Sequence, residues 1–248
     1  MNHNQLFTMR NVTFSFNQQS PPFFENVSLE FKPNSLNFIY GKNGMGKSTL
    51  LKILSGRTQY PENVTGSICI NQNIFDLNTL NTLADNVGFV CQQFDDMLIS
   101  SYSFTHNLQC AQIPRIPLPI PMGPHKPYPQ FLEKYGIAAD IPVALLSGGQ
   151  RQILSILMVL QRSPSIILLD EPTASMDEEN ANLIMSFLQE LCSKQNITVV
   201  LIVHTMTLVH KYATHGIFQI LKNIEGKRII THHIINNYDV EDTVKIIL

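Results

Sequence analysis

The stretch LNFIYGKNGMGKSTL, residues 36–50, joins a short apolar run to a loop that holds three glycines, two lysines and two hydroxyl side chains. Each glycine adds backbone entropy that folding must remove, so stability alone does not favour such a loop. The run LNFIY predicts a buried strand, and STLLKIL after the loop predicts a helix. Gly41, Gly46, Lys47 and Ser48 satisfy the pattern G-x-x-x-x-G-K-[ST]. This pattern, between a strand and a helix, is typical of phosphate-binding loops.

The residue types of this loop suit a nucleotide. Small residues let backbone N–H groups turn toward phosphate oxygens, and the positive end of the following helix stabilises the anion. We expect Lys47 to reach the β- and γ-phosphates, Ser48 to ligate Mg²⁺ and Thr49 to contact the α-phosphate. The residues expected to bind the nucleotide in this loop are Gly41, Asn43, Gly44, Gly46, Lys47, Ser48 and Thr49. The alternative is a glycine-rich turn without a ligand.

Two acidic side chains end an apolar run further along the chain. In IILLDEP, Asp170 and Glu171 follow a segment that predicts a buried strand. A phosphate site needs acidic partners for metal and water at the end of a neighbouring strand. We therefore expect Asp170 to hold Mg²⁺ through water, and Glu171 to face the γ-phosphate and polarise the attacking water. In the alternative, the two acids only end a strand at the surface.

Segments around these motifs alternate between strand and helix patterns. Residues 6–40 alternate apolar and polar side chains, which predicts an antiparallel β region that leads into the strand before the loop. GSICI, VGFVC, SIILLD and ITVVLIV predict further strands. Residues 150–161 predict a buried helix, and residues 178–194 predict an amphipathic helix that Asp177 caps. Such alternation predicts an α/β core with a largely parallel sheet.

Composition limits the function classes. The 248 residues carry 17 Lys and Arg against 19 Asp and Glu, so the net charge of −2 gives no basic field, and we expect no nucleic-acid partner. The four cysteines lack metal-ligand spacing and are expected to be buried, reduced thiols. The N-terminal residues lack a secretory pattern, and no apolar run reaches the roughly 18 residues that span a bilayer. We therefore expect a cytoplasmic protein that does not cross a membrane by itself.

A third motif, LSGGQRQ at residues 146–152, lies between the glycine loop and the acidic strand. With this motif in this order, the chain resembles the ATP-binding subunit of ABC transporters over nearly its whole length. The resemblance implies an α/β fold of the ABC ATPase type of P-loop NTPase, with a mostly parallel core sheet, an antiparallel β subdomain and a reduced, proline-rich helical subdomain. It implies a single domain over 1–248, with a catalytic core at 1–99 and 147–230, a helical subdomain at 100–146 and a C-terminal tail at 231–248.

The resemblance also implies roles for single residues. Gln92 in VGFVCQQ matches a glutamine that contacts Mg²⁺ and water, with Gln93 as the alternative. His204 in VVLIVHT matches a histidine that contacts the γ-phosphate, and Asp177 in ASMD matches an aspartate of the loop after the acidic strand. Phe16 lies where the family usually has a tyrosine that stacks on adenine, and the alternative is a core position on a strand. The implied catalytic residues are Glu171, His204 and Gln92, and the implied Mg²⁺ ligands are Ser48, Gln92 and Asp170.

Members of this family work in head-to-tail pairs, which implies a second nucleotide-binding subunit as a partner. The signature residues Ser147, Gly148, Gly149 and Gln150 of one subunit would close over the ATP bound by the other. A hydroxyl, unobstructed N–H groups and a helix N-terminus suit the γ-phosphate. Hydrolysis would part the pair and drive a separate transmembrane permease, with the ATPase on the inner face of the membrane. The alternative is a soluble ABC-type ATPase with an assembly role, as in iron–sulfur cluster assembly.

Residues 113–129 depart from the family's pattern. The text IPRIPLPIPMGPHKPYP excludes a helix or a central strand, whereas the family's segment is mainly helical and docks on the transmembrane subunit. Our hypothesis is a rigid loop at the docking surface that selects the membrane partner. The alternative is an exposed linker without function. The transported substrate and the direction of transport do not follow from these motifs, because importers and exporters share them.

Overall fold

The protein was analysed as a computed structural model that describes residues 7–77, 83–113, 129–174, 176–213, 216–223, 226–236 and 239–246. The strands are β1 Phe7–Phe14, β2 Phe24–Phe31, β3 Leu36–Tyr40, β4 Val64–Ile70, β5 Asn73–Asp76, β6 Val87–Val90, β7 Ile166–Leu169, β8 Thr198–Ile202, β9 Gly216–Lys222, β10 Arg228–Asn236 and β11 Asp239–Ile246. The α-helices are α1 Lys47–Leu54, α2 Leu83–Asn86, α3 Phe104–Cys110, α4 Pro129–Lys134, α5 Gly148–Leu160, α6 Glu178–Gln195 and α7 Met206–Tyr212.

The larger sheet contains seven strands in the order β11-β10-β9-β3-β8-β7-β6. Neighbouring strands from β9 to β6 run parallel, whereas β10 and β11 are antiparallel additions at one edge. The prediction of a mostly parallel α/β core is therefore confirmed. The boundary that we drew at residue 230 falls within β10, so residues 231–236 and 239–246 belong to strands of this sheet. Residues 231–248 contain no motif, so the sequence pattern does not predict these two strands.

A second sheet of four antiparallel strands, in the order β2-β1-β4-β5, forms the predicted antiparallel region. In β1, Phe7 pairs with Phe31 on one side and with Ile70 on the other. The rings of Phe7 and Phe31 stack with centroids 4.9 Å apart. Both rings are buried, so this sheet contributes one apolar face to the core under the phosphate loop.

Alternate residues of the core strands face two separate apolar cores. In β7, Ile166 and Leu168 pack with α1 and the antiparallel sheet, whereas Ile167 and Leu169 pack with α5 and α6. Both faces are covered, as the continuous apolar run SIILL predicts for a parallel strand. The sheet is thereby fixed on both sides, and the carboxyl ends of β3, β7 and β8 meet at one edge.

The helical region after β6 is only partly described. The side chain of Asn107 on α3 is buried, accepts a hydrogen bond from the Ile99 N–H at 2.8 Å and donates one to the Ile99 carbonyl at 3.1 Å. These bonds fix the chain between β6 and α3. The proline-rich segment 113–129 lies, apart from its ends, outside the described residues, and so the docking hypothesis for it stays a prediction.

The helices and the cysteines bear on the kind of protein to which the chain belongs. Within the described ranges, no helix is both long and apolar enough to span a bilayer. Cys69 and Cys192 are buried, and burial raises the pKa of the Cys192 thiol to about 12. Cys91 and Cys110 are partly exposed, so the expectation of four buried thiols is wrong for these two.

Candidate nucleotide-binding site

The glycine loop connects β3 to α1 in a conformation that its glycines permit. Gly44 and Gly46 have φ values of +75° and +102°, which L side chains rarely adopt. Gly46 is the N-cap of α1, and a Cβ built on it would lie 2.4 Å from Cε1 of Phe23. No acidic residue occupies the first turn of α1. The helix therefore contributes no negative charge of its own at the positive end of its dipole.

Lys47 is held under the loop. Its side chain is almost fully buried, and its Nζ donates to the carbonyl of Gly41 at 2.9 Å and to that of Lys42 at 3.3 Å. Burial lowers the pKa of Lys47, and the charges of Glu171 and Asp170 oppose that shift. A buried ammonium with two acidic neighbours is ready to pair with an anion.

Ser48 and Asp170 form the next contact. The Ser48 hydroxyl donates to Oδ1 of Asp170 at 3.1 Å, at the position where β7 ends. Burial raises the pKa of the Asp170 carboxyl, while the bond from Ser48 opposes that shift. A hydroxyl and a carboxylate are hard oxygen donors, which are the ligands that Mg²⁺ prefers. The donor set at this position therefore fits Mg²⁺.

Glu171 lies at the centre of a three-residue contact. The Gln92 amide donates from Nε2 to Oε2 of Glu171 at 3.0 Å, and Nε2 of His204 contacts Oε1 of the same carboxylate. The three residues follow the ends of β6, β7 and β8. Glu171 has a φ of +53°, which is uncommon for a residue with a side chain and is typical of functional positions.

Lys47, Ser48, Gln92, Glu171 and His204 share one open cavity of about 500 Å³. Its lining residues are Phe16, Phe23, Asn43, Gly44, Gly46, Lys47, Ser48, Thr49, Gln92, Glu171 and His204. Gln93 is not among them and begins a short 3-10 turn after β6. Phe16 lies beyond the end of β1 and is 47% exposed, so the alternative of a core position is wrong for this ring.

The signature residues do not line this cavity. Ser147 caps α5 in a capping box: its Oγ accepts from the Gln150 N–H at 3.2 Å, and its own N–H donates to Gln150 Oε1 at 3.0 Å. A Cβ on Gly148 would meet no atom within 4 Å, whereas one on Gly149 would lie 2.5 Å from Oδ1 of Asn180. The first helical residue of α5 is therefore accessible.

Asp177 is also outside the cavity and caps α6. Its Oδ1 accepts from the Asn180 backbone N–H at 2.8 Å, and its Oδ2 accepts from the Asn180 amide at 3.0 Å. The backbone bond from Asn180, followed by the side-chain bond, holds the pKa of Asp177 below its ordinary value.

Sequence reasoning missed one lining residue of the site and a residue that packs on it. Phe23 lines the cavity, and the guanidinium of Arg228 stacks on the ring of Phe23. The aromatic pair Phe23–Phe24 after two prolines was a weak signal for the first residue. No pattern signals the second.

Comparisons with known proteins point to one family. A family model described as ABC transporter matches residues 24–174. The leukotoxin translocation ATP-binding protein LktB of Mannheimia haemolytica is 32% identical over 208 residues, which are 82% of this chain and 28% of that protein. The chain thus spans little more than a quarter of the length of such curated relatives.

Two solved structures share the fold. CbiO1 from Clostridium perfringens, part of the ABC transporter complex CbiONQ, matches with a TM-score of 0.74 and 24% identity over 91% of this chain and 87% of that chain. The ATP-binding cassette MJ0796, solved as a dimer in a post-hydrolysis state with ADP and phosphate, matches with a TM-score of 0.65 and 26% identity over 86% and 93%. The chain therefore belongs to the ABC transporter family.

Proposed function

We propose that this cassette hydrolyses ATP in a head-to-tail dimer and thereby drives transport through a separate transmembrane partner, which holds it on the inner face of the membrane. One observation carries the catalytic part of the proposal. The carboxylate of Glu171 is held by Gln92 and His204 in the cavity that also contains Lys47 and Ser48. A general base must lie within reach of the attacking water, and two hydrogen-bonding neighbours fix its direction.

Each side chain then has a distinct task. Lys47 and the loop N–H groups bind the phosphates, Glu171 accepts a proton from water, and His204 and Gln92 orient that carboxylate. Ser48, Asp170 and Gln92 would hold Mg²⁺, which when bound neutralises phosphate charge. The exposed ring of Phe16 offers a stacking face for adenine.

The accessible end of α5 supports a dimer. Gly148 has open space around it, and the dipole of a 13-residue helix favours an anion at its N-terminus. A nucleotide in the chain's own phosphate cavity would not contact this end of α5, because the signature residues are not among the residues that line the cavity. We infer that Ser147, Gly148 and Gly149 act on the ATP of a second copy, with Asp177 near the same interface.

A groove of about 300 Å³ is our proposed docking site for the transmembrane partner. Apolar side chains and two cations line it, among them Phe89, Met97, Met158, Val159, Arg57 and Arg162. Phe89 lies on β6, shortly before Gln92 in the chain, and Met97 ends the 3-10 turn that follows Gln92. A partner helix in this groove would therefore be coupled to the position of Gln92.

Nucleotide titration of the Lys47→Ala variant tests the catalytic part. Removing the ammonium should weaken binding of Mg·ATP by about ten- to a hundredfold, because a charge-assisted contact to phosphate is lost. Thermal unfolding of the variant checks that the fold is retained. Unaltered affinity would contradict the phosphate role of Lys47.

Affinity purification from detergent-solubilised cells tests the partner. The wild type should retain a polytopic membrane protein, and Met158→Glu should lose it, because a carboxylate in an apolar groove is costly to bury. Ile74→Glu is the matched control, since Ile74 is 67% exposed on the edge strand β5. If only soluble proteins are recovered with the wild type, the transport proposal fails.

A further inference from the structure

Arg228, the first residue of β10, contacts the nucleotide site from outside. Its Cζ lies 3.4 Å from the centroid of the Phe23 ring, and its Nε donates to the carbonyl of Met45 at 3.1 Å. The two residues of the latter bond are 183 positions apart in the chain. One side chain of the C-terminal strands is thus bonded to the middle of the phosphate loop.

Phe23 connects Arg228 to the cavity. Its ring packs on Gly46 so closely that a Cβ there would lie 2.4 Å away, and it meets the ring of Phe16 edge-on at 4.7 Å. Both rings line the phosphate cavity. Phe23 therefore lies between the cation of Arg228 and the surface that an adenine would contact.

The bond to Met45 has a second consequence. The Met45 carbonyl and the Gly46 N–H belong to the same planar, trans peptide unit, and so they point in opposite directions. A donor that fixes the carbonyl on one side also fixes the N–H on the other. Gly46 lines the cavity, and its N–H is one of the groups at the start of α1 for which the helix itself provides no acceptor.

We infer that Arg228 is a positioning residue of the nucleotide site, which holds Phe23 against the loop and sets the direction of the Gly46 N–H. The inference rests on the proposed function of this cavity. A planar guanidinium can stack on a ring and donate in its own plane at once, whereas an ammonium cannot do both with the same geometry. The identity of residue 228 therefore matters, and not only its charge.

The test compares the full-length chain with Arg228→Met, Arg228→Lys and the control Lys227→Met. Lys227 is the neighbouring cation, and its Nζ pairs with the half-exposed Glu25 at 3.4 Å. Affinities are measured for Mg·ATP and for inorganic triphosphate, which lacks a base. We expect Arg228→Met to weaken ATP binding by about tenfold and triphosphate binding by about threefold, because the first ligand uses both Phe23 and the Gly46 N–H.

Steady-state turnover distinguishes a positioning role of Arg228 from a general loss of stability. Arg228→Met should raise the KM for ATP while kcat stays within about twofold of the wild type, since Glu171 and its partners are untouched. Arg228→Lys should recover part of the affinity. Equal ATP affinities for Arg228→Met and Lys227→Met would overturn the inference.

Two further outcomes keep the inference separate from the proposed function. If Arg228→Met does not fold, Phe23→Leu replaces it; this variant should lose ATP affinity and keep triphosphate affinity, and wild-type affinity for ATP would overturn the inference. If the wild type binds ATP no better than Lys47→Ala, the proposed function fails, whatever residue 228 does.

Discussion

The phosphate cavity and the N-terminus of the signature helix α5 differ in how their groups are paired and in how much open space surrounds them. Around the cavity, Lys47, Ser48, Asp170 and Glu171 already have partners within the chain. At α5, the capping box satisfies the backbone, yet the space beside Gly148 is empty. In the first region the polar side chains contact one another, whereas the second presents an uncrowded helix N-terminus. This difference is what we expect if, as proposed, the second region acts on a neighbouring copy.

The largest effect is expected from a variant that removes the general base of the cavity without changing the cavity's shape. Glu171→Gln should retain ATP binding and reduce turnover by roughly 10² or more, because an amide cannot accept the proton of water. The dimer should then accumulate with ATP bound, since the bridging phosphate is not removed. Steady-state turnover together with size-exclusion chromatography measures both effects.

Glu171→Asp is a useful comparison in the same experiment. It keeps the carboxylate but shortens the side chain, so it tests the contacts with Gln92 and His204 apart from the charge. Normal turnover in Glu171→Gln would remove this residue from its assigned role.

The sequence predicted the parts of the site whose chemistry is local. Residues 41–49 form a motif, and Asp170 and Glu171 end an apolar run. The sheet order β3-β8-β7 then brings these two segments to the same edge of the sheet. The contact of Arg228 with Met45 could not be predicted, because it depends on how β10 pairs with β9 and on no pattern in either segment. Phe23 was missed for a similar reason: its role follows from the absence of a Cβ on Gly46.

A smaller but sharper effect is expected at the open region. Gly148→Asp should leave the thermal unfolding temperature unchanged or slightly raised, because the position is uncrowded and an acid at a helix N-terminus is favourable. The same charge should repel the ATP of the second copy and reduce turnover by about tenfold or more, since about 1.4 kcal/mol of repulsion has that effect.

Gly148→Ala is the matched control for this variant, because it adds a Cβ without a charge. Turnover of Gly148→Asp should fall while its nucleotide affinity as a monomer is kept. Wild-type turnover in Gly148→Asp would mean that α5 does not approach a phosphate, and the comparison between the two regions would lose its functional meaning.

The smallest effect concerns Asp177, which is outside the cavity and yet has a local task as the cap of α6. Asparagine is also a good N-cap, so Asp177→Asn should keep the bond from the Asn180 N–H and lose only the charge at the helix N-terminus. Because the folded-state pKa of Asp177 lies below its ordinary value, the stabilisation is present above the unfolded-state pKa and is lost as the pH falls through the folded-state value.

Urea unfolding should therefore rank wild type above Asp177→Asn, and Asp177→Ala below both, at pH 7. The difference between the first two should shrink below about pH 4. A difference that does not change with pH would show that the charge of Asp177 does not stabilise α6, which would leave the dimer interface as the remaining role of this carboxylate.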